Sequence, residues 1–394
     1  MEKNWVKMSD VLFFQEGPGV RNTQYTTSGV KLLNVANLVD GKVDLSTSTR
    51  YISEDEAYGK YKHFLCDAGD FVVASSGIKV EYIDKKMGFI EEAMLPLCMN
   101  TSTIRFKVIN GDKLRIKYFM YYLKSQHFKE QLAKEITGSA QLNYGPSHLK
   151  KMILPLIDVS AQDEIIRCLD NIQKNIDMRR KELICFDELI RARFVEMFGD
   201  PRSNPFGFPK SMLKDTCKVV TGNTPPRAAQ EYYGDYVEWI KTDNIVPEMI
   251  NPTKATESLS EEGIKVGRTV GKNSILMACI AGSIASIGKV CVTDRTVAFN
   301  QQINAVISKE YNILFLYVML QLSKDYLVEE INMSLKGILS KSKLEEKEFI
   351  VPPIDLQEQF AEFVEQVDKS KDSVKKALDE AQLLFDSLMQ QYFG

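Results

Sequence analysis

A stiff polar loop carries the side chains whose chemistry is clearest in this sequence. Residues 220–227 are Val-Thr-Gly-Asn-Thr-Pro-Pro-Arg, and the glycine and the two prolines indicate an exposed turn. The loop offers hydroxyl, amide and guanidinium groups from Thr221, Asn223, Thr224 and Arg227. Side chains of these types contact phosphate oxygens and the edges of bases. An earlier segment rich in glycine and proline, residues 17–23, offers Arg21, Asn22 and Thr23.

Polar loops of the same kind recur along the whole chain. The candidate binding residues in the first half are Asn37, Ser75, Ser76, Lys79, Ser139 and Gln141. Those in the second half are Lys241, Asn244, Ser283, Gln301, Gln302 and Lys336. Polar residues also collect in solvated turns for purely structural reasons, so any one loop is explained equally well without a ligand. Their recurrence in both halves favours a binding surface.

The sequence lacks the motifs of the common catalytic centres. It contains no Gly-x-x-x-x-Gly-Lys-Ser/Thr phosphate loop, no Gly-x-Ser-x-Gly nucleophile motif and no Cys-x-x-Cys pair. The three histidines and seven cysteines form no cluster with metal-ligand spacing. Adjacent carboxylates, such as Glu91 with Glu92, are typical of solvated surfaces. The sequence therefore predicts a non-catalytic protein that binds no metal and no cofactor directly.

The elements that must position the polar loops occur twice in the chain. Residues 154–159, Leu-Pro-Leu-Ile-Asp-Val, recur 197 positions later as residues 351–356, Val-Pro-Pro-Ile-Asp-Leu. At the same offset, Gln162 matches Gln359. An ordered series of such matches predicts an internal duplication.

Upstream matches have different offsets. Residues 30–37 parallel residues 237–244 at an offset of 207, and Ser53 parallels Ser260 at that same offset. Changing offsets indicate loops of different length within a common scaffold.

Each copy divides into a globular part and a helical part. The globular parts hold short β-branched and aromatic runs between polar loops, which is typical of an α+β domain. In the helical parts, apolar residues recur in alternating steps of three and four, as at Ile165, Leu169, Ile172 and Ile176. Helices of about 55–60 Å are longer than one small domain can cover, so we expect the two to pair antiparallel. The alternative is that each helix packs on its own globular domain.

We therefore predict the α+β fold class. Two tandem, pseudo-symmetric globular α/β domains would be separated by two long helices that form an antiparallel coiled coil. The predicted boundaries are 1–155 for the first globular domain, 156–204 for the central helix and linker, 205–355 for the second globular domain and 356–394 for the C-terminal helix.

Composition excludes several classes of protein. The 394 residues are 44% hydrophobic and 26% charged, which is usual for a globular protein. The longest apolar run, residues 313–320, is too short to span a bilayer. The odd number of cysteines argues against a disulfide framework, and the N-terminus lacks the apolar region of a signal peptide. We expect a cytoplasmic protein without membrane contact.

Net charge is unevenly distributed. The total is −3, but residues 1–155 carry +4 and residues 201–355 carry 0. The helical segments 156–200 and 356–394 carry −3 and −4. The acidic balance therefore lies in the helices, and the regions with the polar loops are neutral to weakly basic.

The order of these pieces resembles the specificity subunit of type I restriction-modification systems. The likeness covers essentially the full chain, and its most similar stretches are residues 351–359, 221–225 and 194–200. Their duplicated order carries the resemblance. The first copy departs from it, because Pro18 and Gly19 replace the usual Thr-Gly-x-Thr-Pro loop, so the roles of residues 17–23 are not carried over.

The resemblance implies a protein that reads double-stranded DNA without modifying it. Each globular domain would recognise one half of a bipartite, asymmetric target. The helices would act as a spacer and as the docking site for two modification subunits. Those methyltransferases would use S-adenosylmethionine, while restriction subunits, the translocase and nuclease, would use ATP and Mg²⁺.

Two other interpretations remain at this stage. One is a coiled-coil scaffold whose globular domains bind protein. The other is a self-contained DNA methyltransferase or nuclease. Against a methyltransferase, residues 351–354 are the nearest match to an Asn/Asp-Pro-Pro-aromatic motif and lack both its polar and its aromatic end.

Overall fold

The chain forms two compact units in a computed structural model. The structure describes residues 3–136, 143–247, 249–329, 331 and 337–394. The first unit comprises Met1–Met178 with Ala377–Gly394, and the second comprises Arg179–Lys376. Within the described ranges, every helix is too short or too polar to cross a lipid bilayer.

The first unit contains short strands arranged in two main sheets. The strands are β1 (Asn4–Lys7), β2 (Leu12–Glu16), β3 (Val30–Leu33), β4 (Leu38–Val39), β5 (Lys42–Val43), β6 (Tyr51–Ile52), β7 (Phe71–Ala74), β8 (Met87–Phe89), β9 (Leu97–Met99), β10 (Thr103–Val108) and β11 (Ile153–Leu156). One sheet is antiparallel with the order β2-β10-β7-β8. The other has the order β6-β3-β9, with β3 and β9 parallel. β1 pairs with β11, so the two ends of the globular region meet.

The second unit repeats this arrangement. Its strands are β12 (Lys210–Met212), β13 (Cys217–Thr221), β14 (Tyr233–Gly234), β15 (Val237–Ile240), β16 (Ser258–Leu259), β17 (Thr269–Val270), β18 (Ile275–Ala278), β19 (Ile280–Ala281), β20 (Val290–Val292), β21 (Val297–Phe299), β22 (Ile303–Ser308), β23 (Gly337–Ile338) and β24 (Glu348–Ile350). The sheet β13-β22-β18-β20 corresponds to β2-β10-β7-β8. In the sheet β14-β16-β15-β21-β17, the strands β15 and β21 are parallel, as β3 and β9 are. β12 and β24 close the region as β1 and β11 do.

Two helices are much longer than the others. The helices are α1 (Met8–Val11), α2 (Glu54–Tyr58), α3 (Ile116–Lys124), α4 (Gln126–Glu135), α5 (Pro146–Leu149), α6 (Val159–Phe198), α7 (Leu213–Thr216), α8 (Glu261–Val266), α9 (Ile313–Leu322), α10 (Lys324–Val328), α11 (Lys341–Glu346) and α12 (Ile354–Phe393). α6 and α12 have 40 residues each. α6 ends at Gly199, whose φ of +72° favours glycine.

Strand registers and helix caps confirm the duplication. In the first unit Val30 pairs with Ile52, and in the second Val237 pairs with Leu259, at the offset of 207 residues on both strands. Ser53 caps α2 by accepting the Glu56 backbone N–H, and Ser260 caps α8 by accepting that of Gly263. A side chain at this position satisfies a donor that the first helical turn leaves free.

In each unit, the largest hydrophobic core includes residues of both long helices. In the first unit, Ile165 and Leu169 of α6 share the core with Met389 and Phe393 of α12. In the second unit, the core contains Ile190, Phe194 and Phe198 of α6 with Phe360 and Val364 of α12. The start of each helix thus lies with the end of the other, so the pair is antiparallel and the predicted fold class is confirmed. The helices also pack on the globular regions, so both packing modes that the sequence left open occur.

A buried glutamine at the start of each long helix corrects the sequence alignment. The Gln162 side chain accepts the Arg115 N–H at 2.8 Å and donates to the carbonyls of Lys113 and Ile157. Gln357, not Gln359, has the same role, because it accepts the Asn312 N–H at 2.9 Å. Gln357 also donates to the Pro352 carbonyl at 2.8 Å.

The expected match of Gln162 with Gln359 is therefore wrong by two residues. Gln359 lies on the exposed face of α12, and Gln357 is buried. The offset of 195 already holds in the strands before the long helices, where Ile153 pairs with Lys7 and Glu348 pairs with Met212. The match of the proline-containing motifs at an offset of 197 is therefore itself displaced by two residues in the structure.

At one position where the long helices pack together, the two copies have side chains of different polarity. Ile176 of α6 is buried in the first unit, and Lys371 stands at the equivalent place of α12 in the second, only 5% exposed. Its ammonium donates to Asp187 at 2.6 Å. A single charged residue in an apolar seam lowers stability but favours one alignment of the two helices over shifted ones.

We expect Gln357→Ala to lower the free energy of unfolding of the second unit by roughly 1–3 kcal/mol, because it leaves the buried Asn312 N–H and Pro352 carbonyl without partners. Gln359→Ala, in the same helical turn but exposed, should change it by less than about 0.5 kcal/mol. Urea unfolding of the full chain, followed by hydrogen exchange at α9 and α12, measures both. Equal effects of the two substitutions would contradict the buried assignment.

Candidate nucleic-acid interface

The polar loop after β13 is held against the sheet by a glycine. The Gly222 N–H donates to the Ile303 carbonyl, and a Cβ on Gly222 would overlap the backbone of Asn300. In the first unit, Gly17 is just as close to the backbone of Asn100, and its N–H donates to the Thr103 carbonyl at 3.0 Å. Residues 17–23 and 222–227 are therefore equivalent loops, because only glycine allows this approach.

Two aromatic residues fix the loop of the second unit. The Trp239 indole N–H donates to the Asn223 carbonyl at 3.3 Å, and the Tyr233 hydroxyl donates to the Pro225 carbonyl at 2.6 Å. Trp239 lies in β15 and is almost completely buried. The two rings thereby hold the loop in place at two of its carbonyl groups.

Two cations predicted from the sequence meet on these rings. The Arg227 guanidinium lies 4.9 Å from the ring centroids of both Tyr233 and Trp239. The Lys241 ammonium lies 5.3 Å from the Trp239 centroid. Cation–π attraction of this kind orients a positive group over an aromatic face while leaving its outer side in water. The fold thus gathers residues that are 14 positions apart in sequence into one cluster.

An acidic residue that the sequence analysis missed joins both cations. The Glu257 carboxylate accepts a hydrogen bond from Arg227 Nη1 at 2.6 Å and another from Lys241 Nζ. The hydrogen bonds from Arg227 and Lys241 hold the pKa of the Glu257 carboxyl below its usual value. Nothing in the sequence marks Glu257 as a candidate, because side chains that bind phosphates and base edges are mostly basic or neutral and polar. We call Arg227, Lys241, Glu257, Tyr233 and Trp239 the cation cluster.

The remaining predicted residues around this loop mostly bind each other or the backbone. The Asn223 amide donates to the Val266 carbonyl and accepts the Arg268 N–H, both at 2.8 Å, so it holds the loop in shape. The Thr221 carbonyl accepts from the Arg268 guanidinium at 2.5 Å. Thr224 donates to Gln301, and both side chains remain on the surface.

Two further predicted residues of the second unit have local partners. Gln302 accepts from the Asn300 amide at 3.2 Å, and Ser283 lies 3.0 Å from the Ser286 hydroxyl. Ser283 is exposed, and Gln302 is half-buried.

Three predicted binding residues are structural instead. Asn37 and Asn244 are buried, and their side-chain oxygens accept the backbone N–H of Asn34 and Lys241, respectively. Their amide groups donate to neighbouring loops, at Asp44 O for Asn37. Ser75 is completely buried. A side chain in these positions cannot reach a ligand, so we remove all three from the candidate set.

In the first unit, the equivalent loop is exposed. Arg21, Asn22 and Thr23 lie at the surface. The Gln24 side chain anchors this turn by accepting the Arg21 N–H and donating to Glu56 at 2.6 Å. The three side chains remain available for contacts in solution.

A second basic surface of the first unit was only partly predicted. Lys79 lines an open groove together with Tyr82, Lys85 and Lys86. The Lys85 ammonium lies 5.7 Å from the Tyr82 ring centroid. Ser76 is close by and half-buried, bridging to Asn143. The adjacent lysines 85 and 86 were the sequence signal that could have identified this groove.

Three predicted residues lie outside the part of the chain that the structure describes. They are Ser139, Gln141 and Lys336. Their assignment to the interface stays a prediction.

Four buried cysteines are poor nucleophiles. Burial raises the pKa of the Cys66, Cys98, Cys279 and Cys291 thiols to about 12. A thiol with so high a pKa is not ionised near neutral pH. Among the described residues, no group of three or more His, Cys, Asp or Glu side chains could hold a metal ion.

Comparison with known proteins gives a consistent result. The model of the family described as type I restriction modification DNA specificity domain matches twice, at residues 21–184 and 206–382. The type I restriction enzyme MjaVIII specificity subunit of Methanocaldococcus jannaschii is 26% identical over 181 residues, which cover 45% of this chain and 41% of that protein. The HindI specificity subunit of Haemophilus influenzae is 33% identical over 123 residues, 30% of this chain and 25% of that protein. The matches thus span less than half the length of either relative.

Solved structures share the fold over the whole chain. The S subunit of a type I restriction-modification system from M. genitalium superposes with a TM-score of 0.58 at 15% identity, covering 100% of this chain and 96% of that one. A chain from a structure of type I R-M complex assembly gives a TM-score of 0.56 at 14% identity, with 99% and 97% covered.

The cation cluster should respond to acid only well below neutral pH. The pKa of Glu257 is depressed, so its bridge to Arg227 and Lys241 is present above that pKa and lost as pH falls through it. In a Trp5→Phe background, Trp239 emission should therefore be constant from about pH 8 to 5 and change only below the usual glutamate value of about 4.3. The same protein with Glu257→Gln should lack this transition. A transition of equal size in both proteins, with circular dichroism unchanged, would show that Glu257 is not its cause.

Proposed function

The chain belongs to the type I restriction modification DNA specificity domain family, and on this premise we propose that it is the DNA-recognition subunit of a type I restriction-modification complex. Each globular region would read one half of a bipartite, asymmetric target in double-stranded DNA. The observation that carries the proposal is the double match of a DNA specificity domain, once around each globular region.

The surface chemistry supports the same assignment. Arginine and lysine are the usual donors to guanine and to phosphate, and exposed Asn, Gln and Thr side chains supply further contacts to DNA. In the second unit, Arg227 and Gln301 are exposed, and Thr224 of the rigid loop is half-buried and donates to Gln301. In the first unit, Arg21, Asn22, Thr23 and Lys79 would serve.

The long helices are the proposed docking site for two modification subunits. Large apolar residues remain exposed on them: Ile184, Leu189 and Val195 on α6, and Leu383 and Leu384 on α12. These exposed apolar side chains would be available to contact a partner protein. The helices would also set the spacing between the two half-sites. Restriction subunits would join the same assembly.

We infer that the chain itself is not catalytic. Methyl transfer from S-adenosylmethionine and the ATP- and Mg²⁺-dependent steps would belong to its partners, in the cytoplasm. Calorimetric titration of the purified chain with S-adenosylmethionine separates this assignment from a self-contained methyltransferase, for which micromolar binding is expected. A scaffold that binds only protein would enrich no DNA sequence from a random duplex library.

Exchange of one globular region tests the proposed modularity. Replacing residues 205–355 with the equivalent region of another family member should change one half of the target and leave the other half and the spacer unchanged. The reason is that each half-site is contacted by a separate unit. Methylated sites mapped in cells that also express the modification subunits give the answer. The matched control exchanges residues 1–155 and should alter the opposite half. Changes in both halves, or in neither, would refute modular recognition.

A further inference from the structure

One position of the duplicated scaffold carries opposite charge in the two units. Glu257 and Arg50 are 207 residues apart, the offset that relates the surrounding strands. Their carbonyls accept equivalent backbone hydrogen bonds, from Trp239 N and Leu32 N, both at 2.9 Å. Arg50 lies over an aromatic ring, 5.3 Å from the Tyr25 centroid. The backbone is thus conserved between the two units, and only the chemistry of this side chain differs.

Glu257 lines an open cleft that offers a phosphate little net attraction. The cleft has a volume of about 440 Å³. The side chains that decide its chemistry are Arg227, Gln230, Tyr233, Asp235 and Glu257. The lining holds two carboxylates and one guanidinium, and Lys241, which is bonded to Glu257, balances the second carboxylate. A DNA phosphate in this cleft would therefore meet no net positive charge, whereas a neutral base edge needs none.

The Arg227 guanidinium has further N–H groups that could donate to such a base. Glu257 accepts from one terminal nitrogen, Nη1, and the rings of Tyr233 and Trp239 lie beside the guanidinium plane. About half of the Arg227 side chain is exposed. The guanidinium is therefore held at one end and presents its other N–H groups to solvent. A fixed fork of two N–H donors matches the O6 and N7 acceptors of guanine.

We propose that Glu257 is a specificity-determining residue in the second half-site. Its ion pairs with Arg227 and Lys241 would reduce their contacts to phosphates of non-specific DNA, and they would orient Arg227 to hydrogen-bond a guanine. The proposal rests on the proposed function and deepens it. Glu257 bridges two cations, so the three side chains together carry a single net positive charge. Sequence preference is then gained because orientation is fixed before binding, and non-specific affinity is reduced because positive charge is neutralised.

A purely structural ion pair is the alternative. A partly exposed pair contributes little to stability, so in that case Glu257→Gln would leave DNA discrimination unchanged or weaken binding evenly on all sequences. The two interpretations therefore differ in the sign of the effect on non-specific DNA. The Glu238–Arg295 pair, 2.9 Å apart in the same unit, provides a control that is not in the cation cluster.

The test uses the full-length chain and random duplex DNA. The wild-type protein first selects its target from the library, and binding is then measured on that duplex, on single base-pair variants of the second half-site and on a scrambled duplex, at two salt concentrations. For Glu257→Gln, we expect roughly tenfold tighter binding to the scrambled duplex at low salt, with a salt slope steeper by about one. Discrimination at one G·C pair should fall from roughly tenfold or more to less than about threefold.

Three further variants complete the design. Arg227→Lys keeps the charge but not the fork, so it should lose the same G·C preference with little change on scrambled DNA. Glu257→Asp keeps the negative charge and should retain weak binding to scrambled DNA. Glu238→Gln should behave as wild type in both measurements.

The outcomes separate this inference from the proposed function. If the wild-type chain selects a target but Glu257→Gln keeps its discrimination, or loses affinity equally on every duplex, Glu257 is only structural and the inference is overturned. If Arg227→Lys keeps the G·C preference, Arg227 is not the reader of guanine. If the wild-type chain selects no sequence at all, the proposed function itself fails.

Discussion

Four phenylalanines from three elements form the contact on which the second unit depends. Phe194 and Phe198 of α6 lie 5.4 and 4.8 Å from Phe315 of α9, and 5.4 and 5.7 Å from Phe360 of α12, between ring centroids. All four are completely buried. Burying one such ring contributes roughly 1.5–3 kcal/mol, and the Phe194 and Phe198 rings each contact both α9 and α12. The helix pair and the globular region therefore cannot separate without opening the core of both.

This shared core also determines where the binding loop lies within its unit. Val306 of β22 belongs to the same core as Phe315, and β22 pairs with β13, which leads directly into the loop at Thr221. Gly222 then hydrogen-bonds back to Ile303 at the start of β22. A continuous path of buried contacts thus runs from the long helices to the exposed loop. Rigid support of this kind is what a specific binding site requires, because a loose loop would have to be ordered on binding.

The parts of the structure that follow periodic patterns were accessible from the sequence, and the parts that depend on individual side-chain partners were not. The two long helices, their antiparallel pairing and the duplication follow from apolar spacing and ordered repeats. Asn37 and Asn244 were misassigned because an amide that caps a turn has the same sequence appearance as one that binds a ligand. The Gln162 match failed because both Gln357 and Gln359 follow the same motif, and only burial separates them. Glu257 was missed because its role depends on cations that approach it through folding.

The proposed recognition of DNA by a chain with a net charge of −3 is consistent with the partners of three of its cations. General phosphate affinity requires many free lysines and arginines and is lost as salt rises. Here Arg227 and Lys241 both form ion pairs with Glu257, and Lys371 forms an ion pair with Asp187 where the two long helices pack together. These three cations therefore add little electrostatic attraction for DNA of arbitrary sequence. Under the proposed function, selectivity in the second half-site would come from oriented donors such as Arg227 and not from general attraction to phosphates.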